Sequence, residues 1–162
     1  MPKLSAVLAT LAFAAAAFGQ AKPDRTADVK IQKDAAAEKL AKANQTKTSV
    51  VETDDLIVYT TWAEPKAKTL AATVQKVYES AFKSLKFEPA DSPWPGKLTV
   101  FFLPERKEFA SFVRLVEQRK PDSGDTTSVQ VRTKEPYILV GSETDSKFTE
   151  ADMAGEVGAA VA

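Results

Sequence analysis

The stretch Lys97-Leu98-Thr99-Val100-Phe101-Phe102-Leu103 constrains this chain more than any other part of it. After the lysine it carries a single hydroxyl, and the apolar–polar alternation of a half-exposed strand is missing. A strand without a polar face is of the type buried on both sides, so the rest of the chain must supply covers for it. Pro104 ends the run, since proline has no N–H for a ladder. Before it, Asp91-Ser92-Pro93-Trp94-Pro95-Gly96 reads as a rigid connector that cannot be regular structure.

The best cover lies upstream. Pro65 sits in the first turn of a strong helix in which Leu70, Val74, Val77, Tyr78, Ala81, Phe82 and Leu85 repeat at helical spacing over four turns. Lys66, Lys68, Gln75, Lys76, Glu79 and Lys83 fall largely on the opposite side. Ahead of this helix, Ser49–Glu52 and Leu56–Thr60 are β-rich runs around Thr53-Asp54-Asp55, which predicts a hairpin. After Pro104, Glu105 to Lys120 reads as a second helix with Phe109, Phe112, Val113 and Val116 inward. Pro121-Asp122-Ser123-Gly124-Asp125 is a loop, Ser128–Arg132 alternates, and Tyr137–Gly141 is another buried-type run. A last helix opens at Thr149, with Met153, Val157, Ala160 and Val161 on one face. The order hairpin, helix, strand, helix, two strands, helix predicts an α+β domain over 49–162: a mixed sheet of about five strands backed by two to three helices.

Residues 20–48 are rich in Lys and Ala and offer only Ile31 and Leu40 as apolar anchors. They read as a charged linker with a loose helix near 28–44, a solvated spacer. Residues 1–19 have the layout of a secretory signal: a positive start, the apolar run LSAVLATLAFAAAAF, then small residues at Ala17 and Gly19. The run is shorter than the ~20 apolar residues a spanning helix needs, so cleavage near Gln20 is expected and the location is periplasmic or extracellular. Membrane contact would come only through an uncleaved signal segment.

Composition excludes several chemistries. Lys+Arg and Asp+Glu both number 22, which gives no net field toward nucleic acid. There is no Cys and no His, so disulfides, thiolate metal sites, the commonest zinc ligand and the usual neutral-pH base are all missing. Carboxylate, Lys and Tyr chemistry stay open. Asp122-Ser123-Gly124-Asp125 lacks the ligand spacing of a calcium loop and reads as a turn. Trp62 and Trp94, in connectors, either plug the core edge or face a ligand alongside Tyr59, Tyr78 and Tyr137. Glu105-Arg106-Lys107-Glu108 reads as a solvated first turn, with Glu105 favoured by the helix dipole.

From Ser49 onward the layout resembles secreted bacterial proteins related to gluzincin-type, peptidase MA-like metallopeptidases. The carriers are the hairpin VVETDDLIVYTT, the helix AKTLAATVQKVYESAFKSLKF, the piece PGKLTVFFLPERKEFASFV, the strand YILVG and the terminal helix. The resemblance covers about two thirds of the chain. It implies the upper, N-terminal subdomain of a zincin, a twisted sheet backed by a long helix with the last helix crossing beneath. The family's His-Glu-x-x-His holds zinc on two imidazoles one turn apart, with the Glu polarising the metal-bound water. The aligned residues here are Gly155-Glu156-Val157-Gly158-Ala159. Only Glu156 matches, and Gly155 and Ala159 stand where the ligands would be. The family's third ligand, a Glu on a later helix, has no counterpart before Ala162. The other account of this helix is packing: Ala151, Gly155 and Ala159 recur every four residues, and each glycine costs about 1 kcal/mol against Ala.

The expectation is therefore an exported, non-catalytic protein with no cofactor, no metal and no catalytic residue, its partner unknown. The alternatives are a truncated member of a metallopeptidase family whose activity is lost, and a periplasmic ligand-binding module with an aromatic pocket near Trp62 or Trp94.

Overall fold

Leu98–Leu103 forms β3, and all six of its residues are buried. In the computed structural model, which describes residues 25–86, 93–94, 96–131, 135–142, 155 and 159, this strand is the centre of a five-stranded mixed sheet. The described elements run α1 (Thr26–Lys42), β1 (Ser49–Glu52), β2 (Leu56–Thr60), α2 (Glu64–Ser84), β3, α3 (Arg106–Leu115), β4 (Thr127–Gln130) and β5 (Tyr137–Gly141). The strand order is β1-β2-β3-β5-β4. The three central strands are parallel, with Val58 beside Val100 and Val100 beside Ile138. Each edge strand is antiparallel to its neighbour, Val51 facing Val58 and Val129 facing Ile138. The chain is an α+β protein with a mixed five-stranded sheet and three described helices.

Strand periodicity divides the core in two. Leu56, Val58, Leu98, Val100, Phe102, Ile138 and Val140 point to the face that α2 covers with Leu70, Ala71, Val74 and Tyr78. Ile57, Tyr59, Phe101, Leu103, Tyr137 and Leu139 point to the other face, with Phe109, Phe112 and Val113 of α3 and with Val29, Ala36 and Leu40 of α1. Each fully buried Leu, Val or Phe contributes roughly 1.5–3 kcal/mol relative to exposure. The helix α2 is also tied to the hairpin turn: Thr53 donates to Gln75 Oε1 at 2.7 Å, and Gln75 donates to Asp55 at 2.9 Å.

The helix expected near 28–44 is present, but it is docked on the sheet and is not a loose, solvated spacer. Residues 26–42 are a 17-residue helix whose inner stripe is Val29, Gln32, Ala36 and Leu40. Leu40 is the anchor its size suggested, whereas Ile31 is 60% exposed. The helix docks by smallness and by one amide. Gln32 donates to the Lys97 carbonyl at 2.7 Å and accepts from the Lys97 N–H at 2.9 Å, so a side-chain amide pairs with a peptide at the entrance to β3. A Cβ on Gly96 would lie 2.3 Å from Gln32 Oε1, which is why the connector carries glycine there. Asn44, with φ of 62°, closes the helix: its N–H bonds the Ala41 carbonyl at 3.0 Å and the Gln45 N–H bonds Leu40 at 2.8 Å, the Schellman arrangement.

The helix α3 is shorter than the expected 105–120 stretch. It ends at Leu115, left-handed Gln118 turns the chain away, and the Arg119 N–H returns to the Val113 carbonyl at 3.4 Å. At the far end of β5 a Cβ on Gly141 would meet the Phe109 ring at 2.5 Å, so glycine lets α3 sit directly on the strand. Residues 1–24, which include the expected signal segment, and most of the last fifteen residues lie outside the described residues. No helix among the described residues is long and apolar enough to cross a membrane.

Candidate functional site

Glu156, the one residue matched to a catalytic motif, lies outside the described residues, as do Ala151, Val157 and Gly158. Gly155 and Ala159 are described; both are helical and exposed. Among the described residues nothing comes within 4 Å of where a Cβ on Gly155 would stand. Among the described residues no group of three or more Asp and Glu side chains comes together as a metal site would require.

Two other places gather polar side chains. The first is the end of the sheet where parallel β2, β3 and β5 finish, the end at which open parallel sheets commonly bind ligands. Buried Thr60 accepts the Trp62 N–H at 3.2 Å, and Thr61 donates to Glu108 Oε2 at 3.0 Å. Glu108 is half-buried rather than solvated as the sequence suggested. Burial holds its carboxyl above the usual range, partly offset by the Thr61 hydroxyl. Glu105 behaves as expected, exposed at the N-cap and 2.6 Å from Lys107. Arg106 donates to the carbonyls of Asp122 and Asp125. Arg119 binds Asp125 at 2.6 Å and Glu117 at 2.8 Å, and Tyr137 donates to Glu117 at 3.2 Å. The loop 122–125 is thus a turn laced by two arginines, and Asp125 is held below its usual range by Arg119.

The aromatic connectors plug the core edge. Trp62 meets the Phe102 ring edge-on with centroids 4.5 Å apart, and the Lys66 ammonium lies 3.4 Å above the indole. Trp94 donates to the Tyr78 hydroxyl at 3.1 Å. Tyr59 and Tyr137 are buried on the opposite face. Desolvation, with Glu52 nearby, pushes the Tyr59 hydroxyl up to about 12; burial and Glu117 push Tyr137 upward as well.

The second place is the opposite end of the sheet, which no motif marked. A groove of about 500 Å³ runs between the first turns of α1 and the lower ends of β1 and β3. Arg25, Lys30, Lys33 and Lys97 line it together with Val29, and Glu52 is its carboxylate. Glu52 bridges Lys33 at 2.5 Å and Lys97 at 2.8 Å, and these two ammonium groups hold its carboxyl below the usual range. Lys97 also donates to the Thr53 carbonyl. These residues are dispersed over 25–97 in sequence, and α1 has to dock before they meet; the clustering of Lys in residues 22–47 was the only trace available beforehand.

Comparison with known protein families, with characterised proteins and with solved structures finds no match.

Proposed function

We propose that the chain is an exported, non-catalytic domain with a structural or binding role, on an architecture that resembles the upper subdomain of a zincin without its zinc ligands. What carries this reading is the use made of the groups left open to chemistry by composition. The phenols of Tyr59 and Tyr137 are driven away from ionisation, so neither is a base near neutral pH. Glu52 and Asp125 are held as carboxylates by lysines and arginine within the fold. Glu108 accepts the Thr61 hydroxyl at 3.0 Å, a bond that ties α3 to the end of β2.

A calorimetric titration of the purified chain with zinc tests the reading directly. Heats without a stoichiometric transition below micromolar concentration are expected; stoichiometric sub-micromolar binding would overturn it. Export is read on the same preparation, since an intact mass beginning near Gln20 is expected from processing.

A second reading, a ligand-binding module, is favoured by the groove below α1. Its site would be that groove and not the connectors of Trp62 and Trp94.

A further inference from the structure

We propose that the groove between the first turns of α1 and the lower ends of β1 and β3 binds a phosphate-bearing ligand. Lys30 and Arg25 would be the cations that reach it, and the Lys33–Glu52–Lys97 chain its floor. The inference rests on the ligand-binding reading above and is independent of the non-catalytic one.

Three observations converge. Cations outnumber carboxylates in the lining, four against Glu52, and still do so when Asp28 beside Gly96 is counted. Glu52 is already bound by two lysines, so it is ill placed to neutralise the others. The helix α1 opens onto the groove with Arg25 at its N-cap and no side-chain cap, so its positive end adds to the same field. Thr26 and Val29 are the uncharged members of the lining, and the groove has the size of a small-molecule site. A ligand with several charged oxygens matches it: the Arg25 fork and the lysine ammonium groups each offer multiple donors, and charge-assisted bonds to phosphate are the strong kind. The whole chain is neutral, so attraction is local to this groove and does not extend to a long polyanion.

The ligand's phosphate could be that of a soluble molecule or of a lipid headgroup, and one experiment separates the sources. The chain is titrated with inorganic pyrophosphate, with binding followed by calorimetry and by backbone amide shifts. Saturable one-to-one binding is expected, with shifts at residues 25–33, 52 and 97, weakening as salt is added. The double variant Arg25→Ala/Lys30→Ala should lose about tenfold or more in affinity while keeping its melting temperature. Lys30→Glu, at an exposed position, provides a single change that leaves the Arg25–Gly96 contact in place. Parallel binding to phosphatidylglycerol vesicles, but not phosphatidylcholine vesicles, that pyrophosphate competes away assigns the site to headgroups. Pyrophosphate binding without vesicle binding assigns it to a soluble ligand. No saturation by about 10 mM pyrophosphate, or binding unmoved by both variants, would overturn the proposal. Either failure leaves the zinc result standing.

Discussion

The two faces of the sheet are covered by opposite strategies. The α2 face is closed by a 21-residue helix whose Leu70, Val74 and Tyr78 are large, apolar and evenly spaced. The other face is closed by α3, with Phe109 and Phe112, and by α1, which brings only Val29, Gln32, Ala36 and Leu40. Large side chains interdigitate and tolerate a separation between helix and sheet; small ones demand that the backbones approach, and then a polar group can reach across. The faces differ electrically as well. Tyr59, Tyr137, Glu108, Glu117, Arg119 and Asp125 all belong to the α1/α3 side or its margin, whereas the α2 side holds its core with apolar contacts and with Trp94 on Tyr78. The α2 cover is made stable by volume, the α1 cover by fit.

If that distinction is right, truncation should cost more in α2 than in α1. Leu70 is fully buried in the cluster that α2 covers, so Leu70→Ala leaves a cavity there. A loss of about 2–5 kcal/mol is expected in a urea unfolding curve, with the slope unchanged. A loss under about 1 kcal/mol would mean that α2 covers the sheet loosely and that the contrast between the faces is false.

On the α1 face the sensitive point is polar. Gly96→Ala places a methyl where Gln32 Oε1 now sits, and the amide can only leave by breaking both bonds to Lys97. The expected cost is about 1–3 kcal/mol, that of leaving a part-buried peptide unmatched. The double variant Gln32→Ala/Gly96→Ala should be little worse than Gln32→Ala alone, because the methyl then meets only Asp28 Cβ, at 3.3 Å. Additive losses in that cycle would show that Gly96 is needed for its backbone and not for the clamp.

This contrast also explains what could be read in the chain beforehand. The helix α2, the hairpin β1–β2 and strands β3 and β5 follow from periodicity, because their burial is achieved by side chains that announce it. For α1 the helix formers predict the helix but not its docking: by size Ile31 is an anchor, yet it is exposed, while Ala36, as deeply buried as Leu40, carries no signal. Its clamp joins Gln32 to Lys97 across 65 positions, and no local pattern encodes that pairing. The end of α1 was legible in principle, since Asn44 is a residue type that accepts the left-handed conformation. The basic groove was hidden for the same reason as the clamp. It exists only once α1 is docked. For Glu108 the helix turn is legible and the environment is not, because Thr61, its partner, arrives from the end of a different strand.

The smallest expected effect lies at that carboxyl, and it carries a sign. Burial raises the folded-state pKa of Glu108 above its ordinary 4.5, so the folded state holds that proton more tightly than the unfolded chain does. Its contribution to stability is therefore full below pH 4.5 and declines as pH rises through the raised value. Glu52 and Asp125, held low by their cations, act in the other direction. Their contribution is present above pH 4.5 and 3.8 respectively and fades as acid protonates them. Glu108→Gln keeps an acceptor for Thr61 and removes only the titration. Melting temperatures of the variant and the parent should coincide near pH 4 and separate toward pH 7, the variant being the more stable by about 0.5 kcal/mol or less. The loss of stability below pH 4 should be the same in both chains, because Glu52 and Asp125 cause it. If the variant is instead the less stable chain at pH 7, the Glu108 carboxylate is a stabilising partner of Thr61, and the charge on this face is an asset to be counted with its fit.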